Sequence, residues 1–255
     1  MRIKKFSLWS AVAVLGLVAS LTCANQAQAQ VTTGNDLNLG GNYNNWSWTL
    51  TEGSTTYSGG GGSITPSYLN GVKLPWVYCI DIPDNVGVPA DYNNTTVSTN
   101  GTAMFGGANP WTGGTAGTTF VGSSSSSYIA SQVAWILDNY ANAAVGSSST
   151  QIAAQEAVQS AIWRVIYGTV FTVQDNGVNT AMNNILTALG TNTAALNSVF
   201  WLSPNGNGQN GAAGPGLEQA LVTAAVPEPS TFAIASLCGA GFIFYGLRRR
   251  KAVVA

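Results

Sequence analysis

Hydrophobic and polar residues alternate along the first half of the chain. Aromatic and aliphatic side chains alternate with polar ones over residues 43–51, and the same period recurs over 73–82. A period of two is typical of β-strands, so both segments are predicted to be strands. The four glycines at 59–62 are predicted to end the first strand, and the Gly-, Asn-, Thr- and Ser-rich segment 83–127 is predicted to hold short strands and loops.

A helical period takes over from residue 128. Apolar side chains recur three and four positions apart over 128–140 and again over 178–189, which predicts a helix in each segment. Between them, Ser148 and Gln151 have the spacing of a capping box, which predicts a further helix that ends at Gly168.

These patterns predict an α+β fold in a single domain, β-rich in its N-terminal part and followed by a small helical part. The body is predicted to span residues 30–202, which is long enough to bury a core. The Gly-, Asn- and Ala-rich segment 203–225 is predicted to be a linker.

The N-terminus has the three parts of a cleavable secretory signal. A charged start at 1–5 is followed by an apolar stretch at 6–21 and by an Ala-x-Ala site that ends at Ala29. Residues 1–29 are therefore predicted to be a signal peptide, which means that the body is exported. The alternative is that Cys23 is a lipoprotein cysteine, but the residues before it lack the leucine and the small residue of such sites.

The C-terminus combines a short motif, an apolar run and a basic cap. The motif consists of Val226, Pro227, Glu228, Pro229 and Ser230. The apolar run at 232–247 is shorter than the ~20 residues that usually cross a bilayer, so it is predicted to be a single marginal membrane helix. The basic cap is predicted to stop transfer through the membrane. It consists of Arg248, Arg249, Arg250 and Lys251.

The tail over 226–255 resembles the PEP-CTERM sorting signal of Gram-negative bacteria. The resemblance implies that an exosortase is a partner and cleaves near the Pro-Glu-Pro. It also implies a transient intermediate in the inner membrane, followed by delivery to the outer surface or to the extracellular exopolysaccharide matrix. Such tails occur on unrelated bodies, so the tail gives a destination and the function must come from the body.

Charge and composition exclude several functions for the body. Between residues 30 and 226 only Lys73 and Arg164 are basic, against nine acidic residues, which gives a net charge of −7. Nucleic acid is therefore not expected as a partner. The chain has no histidine, which removes Ser-His-Asp triads and histidine zinc sites. We expect no metal, no cofactor and no enzymatic activity.

The body is predicted to keep one cysteine. Cys23 leaves with the signal and Cys238 lies in the apolar run of the tail, so Cys79 remains without an intramolecular disulfide partner. A free thiol in an oxidising compartment requires an explanation.

One helical glutamine also requires an explanation. Gln159 lies on the apolar stripe of the helix after Ser148, together with Ile152, Ile162 and Ile166. An unpaired buried amide costs ~1–3 kcal/mol, so we expect a hydrogen-bonding partner at this position.

The segments Tyr78-Cys79-Ile80-Asp81 and Val158-Gln159-Ser160-Ala161-Ile162-Trp163 resemble, in order and type, those of the thioester domains of bacterial surface adhesins. The resemblance covers about residues 76–168. It implies that Cys79 is the nucleophile and Gln159 the acyl donor of an internal thioester, formed with loss of ammonia. The implied partner is a surface amine or hydroxyl of a protein or polysaccharide, which becomes joined to Gln159.

Less specific interpretations remain open. Cys79 could be a small buried hydrophobe and Gln159 a core glutamine, with Trp135 and Trp163 as core anchors. Asp81 is either a solvated carboxylate or an aid to proton transfer that raises the pKa of the thiol. Lys73 is the sole candidate for an isopeptide crosslink in the body.

The predicted function is that of a cell-surface or exopolysaccharide-matrix attachment protein that adheres covalently through the thioester. The alternative is a noncovalent structural or glycan-binding matrix protein with the same sorting tail. Its candidate platforms for sugars are Trp46, Trp48, Trp76 and Trp111.

Overall fold

The computed structural model describes residues 31–52, 54–82, 86–99, 126–204 and 219–225. The predicted signal peptide, sorting motif, membrane segment and basic cap lie outside these ranges, as do Cys23, Trp111 and Cys238. Within the described ranges no helix is long and apolar enough to cross a membrane.

The described residues form a β-rich domain with a small helical part, as predicted. The strands are β1 (Val31–Asn45), β2 (Trp48–Glu52), β3 (Thr55–Tyr57), β4 (Gly60–Leu69), β5 (Val72–Leu74), β6 (Val77–Cys79), β7 (Ala90–Ser98), β8 (Phe171–Val173), β9 (Val199–Ser203) and β10 (Leu221–Ala224). The helices are α1 (Ser126–Ile136), α2 (Ser149–Tyr167) and α3 (Asn176–Leu189), and a π-helical turn at Leu137–Ala141 extends α1.

Two antiparallel sheets organise the domain. The larger one has the strand order β5-β4-β1-β7-β9-β10-β6, and the smaller one has the order β3-β2-β8. Helix α2 packs against β4 and, on its other sides, against α1 and α3. Because β6 is the last strand of the larger sheet, only its β10 side is covered by another strand of the described fold.

The helices begin and end as their sequence signals predict. The Ser148 and Gln151 side chains form the predicted capping box at the start of α2. Gly168, at the end of α2, has a φ of 63°, a conformation that favours glycine. Helix α3 begins slightly earlier than its periodicity indicates, because the Asp175 side chain accepts hydrogen bonds from the backbone N–H groups of Gly177 and Val178.

The prediction of one strand over 43–51 is wrong, since the segment divides between the two sheets. β1 continues to Asn45 and pairs with β4 and β7, whereas β2 begins at Trp48 and pairs with β3 and β8. The chain changes sheet over Trp46 and Ser47. Alternation of side chains is the same in either sheet, so the pattern contains no sign of the crossing.

The sequence pattern predicted that the glycine run ends a strand, but in the structure a strand begins within it. Gly60 is the first residue of β4, and Gly61 pairs with Asn44 of β1. A side chain on Gly61 would meet the rings of Trp46 and Trp163, so the absence of one lets these rings lie directly against the strand.

The strand predicted over 73–82 is also divided, into β5 and β6. Pro75 lies between them, and proline has no N–H to continue a ladder. The pattern also suggested two different faces, but every residue from Trp76 to Ile82 is buried. The segment is enclosed because β6 contacts β4 as well as β10, and α2 reaches its free edge through Gln159.

The linker predicted over 203–225 is too long. Ser203 belongs to β9, and Leu221–Ala224 forms β10, the next-to-last strand of the larger sheet, between β9 and the edge strand β6. The body therefore extends beyond residue 202, as far as the start of the tail. A four-residue apolar strand after a long Gly- and Asn-rich segment is too short to stand out as a periodic pattern.

Candidate functional site

Cys79 is the last residue of β6 and is 5% exposed. In the ladder between β6 and β10, its pairing partner is Leu221. Its own backbone N–H and C=O point away from β10, because both are bonded to a side chain of helix α2. The edge of the larger sheet is therefore closed at this residue by the helix.

The side chain that closes the edge is Gln159, which is fully buried in the middle of α2. Its Oε1 accepts a hydrogen bond of 3.0 Å from the Cys79 N–H, and its Nε2 donates one of 2.6 Å to the Cys79 carbonyl. The structure thus brings together two residues that are 80 positions apart in the chain. The partner expected for the buried amide is the backbone of Cys79.

This pairing has consequences for acyl chemistry. The Cys79 N–H is directed at Oε1, the atom on which negative charge develops when a nucleophile adds to the amide carbon of Gln159. The thiol belongs to the same residue that holds the amide by two hydrogen bonds. A thiol, an amide carbonyl group and a backbone N–H that donates to its oxygen therefore belong to one strand and one helix, without a histidine.

The thiol is not activated by ionisation. Burial raises the pKa of Cys79 and the nearby charge of Asp81 raises it further, to about 12. The group is therefore protonated at neutral pH, as the sequence suggested for an acid near the thiol. Any reaction with Gln159 must depend on the relative positions of the two side chains.

Asp81 is buried and not solvated, since only 2% of it is exposed. Tyr167, in the last turn of α2, donates from its hydroxyl to Asp81 Oδ1 at 3.3 Å and accepts from the Ile82 N–H at 2.8 Å. Helix α2 thus holds Cys79 itself through Gln159 and holds the residues that follow it through Tyr167.

A cavity of about 210 Å³ leads to the thiol. Cys79, Trp163, Ile64 and Gln219 are among its lining residues, and Tyr43, which is 44% exposed, lies at its rim. No charged side chain of the described residues lines it. The cavity wall beside Cys79 is therefore neutral and partly aromatic.

Trp163 is a core anchor, and only 1% of it is exposed. Its ring centroid lies 4.8 Å from that of Trp48, 6.0 Å from that of Trp46 and 5.6 Å from that of Phe171. This cluster fixes α2 against β2 and β8 one turn after Gln159. Trp135 is partly buried and packs against the same core.

The alternatives for other side chains fit the structure less well. Trp48 and Trp76 are 5% and 2% exposed, so their faces are covered by protein and offer no surface to a sugar. The Trp76 indole donates to Asn142 Oδ1 at 2.9 Å. Lys73 is exposed on β5 opposite Tyr68, whose side chain has no amide or carboxyl group to form an isopeptide bond. Among the described residues no group of three or more His, Cys, Asp or Glu side chains could hold a metal ion.

Comparison with protein families gives two matches. The thioester domain matches residues 76–191, and the PEP-CTERM protein-sorting motif matches residues 225–251. Residues 76–191 are thus similar to a thioester domain, and residues 225–251 are similar to a PEP-CTERM sorting motif. This confirms both resemblances read from the sequence. No curated protein and no solved structure matches the chain.

The thioester domain match contains Cys79 and Gln159, and it extends past the predicted end of the resemblance to include α3. Three further residues lie near the pair and were not identified as site residues from the sequence: Tyr167 and Gln219 bond to residues just after Cys79, and Gly61 faces Gln159. Gln219 lies between the two family matches, Gly61 lies before the first, and Tyr167 is inside it. None of them belongs to a motif, although the glycine run marks a site where a side chain would not fit.

Proposed function

We propose that this protein attaches the cell or its matrix to a partner through an internal thioester between Cys79 and Gln159. The observation that supports the proposal is the pair of hydrogen bonds between the Gln159 amide and the Cys79 backbone. The thiol sulfur adds to the Gln159 amide carbon, the carbon–nitrogen bond breaks, and the thiol proton leaves with the nitrogen as ammonia. Every atom needed is present in the two residues.

The second step joins the partner. A surface amine or hydroxyl of a protein or polysaccharide then attacks the acyl carbon. The new amide or ester remains on Gln159, and Cys79 is released as a thiol. Each chain reacts once and stays attached, so the protein acts as an adhesin and not as an enzyme that turns over.

The sorting tail supplies the location. In this proposal the signal peptide 1–29 exports the chain, and segment 232–247 holds it in the inner membrane against the basic cap 248–251. An exosortase then acts near 226–230 and the body reaches the outer surface or the exopolysaccharide matrix. The matching sorting motif supports this order of events.

Intact mass tests the thioester directly. The mature protein should weigh one ammonia less than its sequence and should have no titratable thiol after unfolding in the absence of amines. Methylamine should then add its own mass to Gln159 and free the thiol of Cys79. Cys79→Ala should abolish both signals.

The competing function is a noncovalent matrix protein in which Gln159 only closes the sheet edge. It predicts the full calculated mass, one thiol after unfolding and no methylamine adduct. Observation of that pattern in wild-type protein would refute covalent attachment.

A further inference from the structure

The six residues Gln219–Ala224 belong to neither family match, since the thioester domain match ends at residue 191 and the sorting motif begins at residue 225. They nevertheless lie beside the thiol. Leu221 pairs with Cys79, and the next two residues of β10 pair with Tyr78 and Val77. No other strand of the described fold pairs with β6, so this segment provides its whole ladder.

Contacts outside the ladder hold the chain on both sides of Cys79. The Thr223 hydroxyl donates to the Trp76 carbonyl at 2.5 Å, just before β6. The Ile80 N–H donates to the Ala220 carbonyl at 2.9 Å, just after it. The Gln219 side chain donates to the carbonyl of Asp81.

A strand of three residues cannot hold its position without such neighbours. Gln159 bonds to the backbone of Cys79 from one side, and β10 bonds to the flanking residues from the other. If β10 is absent, the backbone around Cys79 loses its ladder and keeps its contacts with α2 and β4. Acyl transfer needs the reacting atoms held in a near-attack geometry, and a misplacement of about 1 Å can cost about 10²-fold in rate.

Gln219 has a second contact with the site, because it also lines the cavity next to Cys79. Its side chain is bonded to the backbone two residues after Cys79, at the carbonyl of Asp81. No motif identifies it, and its place in the site depends only on the pairing of β10 with β6.

We propose that Gln219–Ala224 completes the acylation site, with Gln219 and Thr223 as positioning residues, so that the thioester forms only after β10 has joined the sheet. The inference rests on the proposed thioester. Because β10 is the last strand before the sorting motif, the site is assembled only once nearly the whole body has been made and folded. Cys79 and Gln159 stay unreacted until then, which keeps the acyl group from amines and thiols met earlier.

The test uses the full-length exported chain and follows ammonia loss by intact mass as a function of time after synthesis. Thr223→Val keeps the volume and removes the hydroxyl, and Gln219→Ala removes the contact to the Asp81 carbonyl. Each should slow ammonia loss by about tenfold or more. Thr223→Ser, which keeps the hydroxyl, should restore the wild-type rate.

Matched controls are Thr172→Val and Gln174→Ala on the smaller sheet, whose side chains are also hydrogen-bonded. They should leave the rate of ammonia loss unchanged. Melting temperatures separate positioning from stability, because a purely structural role would lower the melting temperature and leave the rate of the folded protein alone.

Three outcomes decide the proposal. Slow ammonia loss in Thr223→Val and Gln219→Ala, with rescue by Thr223→Ser, supports it. Wild-type rates in both variants would overturn it while the thioester itself stands. Full mass in the wild-type protein would overturn the proposed function and this inference with it.

Discussion

Substitution of Gly61 by alanine tests how closely the helix must approach the sheet. A Cβ at this position would lie 2.7 Å from the ring of Trp46, 2.8 Å from the ring of Trp163 and 3.2 Å from Cγ of Gln159. Both ring contacts are closer than real Cβ atoms approach, and the rings are held in the aromatic cluster. The methyl group must therefore push α2, and with it Gln159, away from β4.

The expected loss of stability follows from overpacking of the core. An extra methyl group in a packed core costs about 1–3 kcal/mol. For a body of this size, that lowers the melting temperature by about 2–12 °C. Gln159 must also move by a few tenths of an ångström, which we expect to slow thioester formation by about tenfold or less, since about 10²-fold corresponds to a full 1 Å.

Gly59→Ala is the matched control. It adds the same methyl group two positions earlier, where the nearest atom is a ring carbon of Trp48 at 3.9 Å, an ordinary contact. Neither Gly59 nor Gly61 has a positive φ, so alanine fits both backbones. The control should change the free energy of unfolding by less than about 0.5 kcal/mol.

Urea denaturation gives the stability of each variant, and intact mass gives the fraction of chains that have lost ammonia. Both the stability and the fraction of chains that have lost ammonia should be lower for Gly61→Ala than for Gly59→Ala. Equal stability and equal ammonia loss in the two variants would refute the close packing of Gln159 and Trp163 against β4.

Three other substitutions test the frame around the site. Ser148→Ala removes the cap of α2 and should cost about 1 kcal/mol of unfolding free energy in urea. Tyr167→Phe leaves the Ile82 N–H without its acceptor and should cost about 1–3 kcal/mol by the same measurement. In methylamine-opened protein, iodoacetamide should alkylate Cys79 slowly and faster as pH rises, because its pKa is raised to about 12 and the thiolate is the reactive form. Asp81→Asn should lower that pKa and speed alkylation at pH 8, and an unchanged rate would show that the carboxylate does not act on the thiol.

The helical half of the fold could be predicted because its signals are local. The capping box of Ser148, the terminal Gly168 and a period of 3.6 all act within one element, and the structure places these features where the pattern indicates. The strands are harder to predict from the sequence, because a strand forms only by pairing with a partner that can lie far away in the chain. Nothing local distinguishes the change of sheet between β1 and β2, or shows that β10 inserts between β9 and β6.

The site divides in the same way. Cys79 and Gln159 stand out as a lone thiol and as an amide on an apolar stripe, and each belongs to a recognisable segment. Gly61 and Gln219 touch the same site from elements far away in the chain. Their contribution depends on tertiary packing, which a single sequence does not display.

The buried thiol reacts only if position outweighs the loss of thiolate. Raising the pKa of Cys79 from an ordinary value near 9 to about 12 costs about 4 kcal/mol in forming the reactive anion. Fixed, aligned reactants can recover about 7–11 kcal/mol relative to the same groups free in solution. Alignment is therefore the term that must offset the loss of thiolate. A displacement of 1 Å removes about 3 kcal/mol of the gain from alignment, since tenfold in rate is about 1.4 kcal/mol.

This dependence on alignment gives a role to the several contacts around one short strand. Gln159 holds the backbone of Cys79, Tyr167 holds the residues just after it, and β10 covers the opposite edge. Unfolded or partly folded chains have the same two residues but not the alignment, so they should keep both the thiol and the amide. In a refolding experiment, loss of ammonia should therefore follow recovery of the near-ultraviolet signal of the Trp46, Trp48 and Trp163 cluster and never precede it. Ammonia release before that signal returns would show that the reaction does not need the folded site.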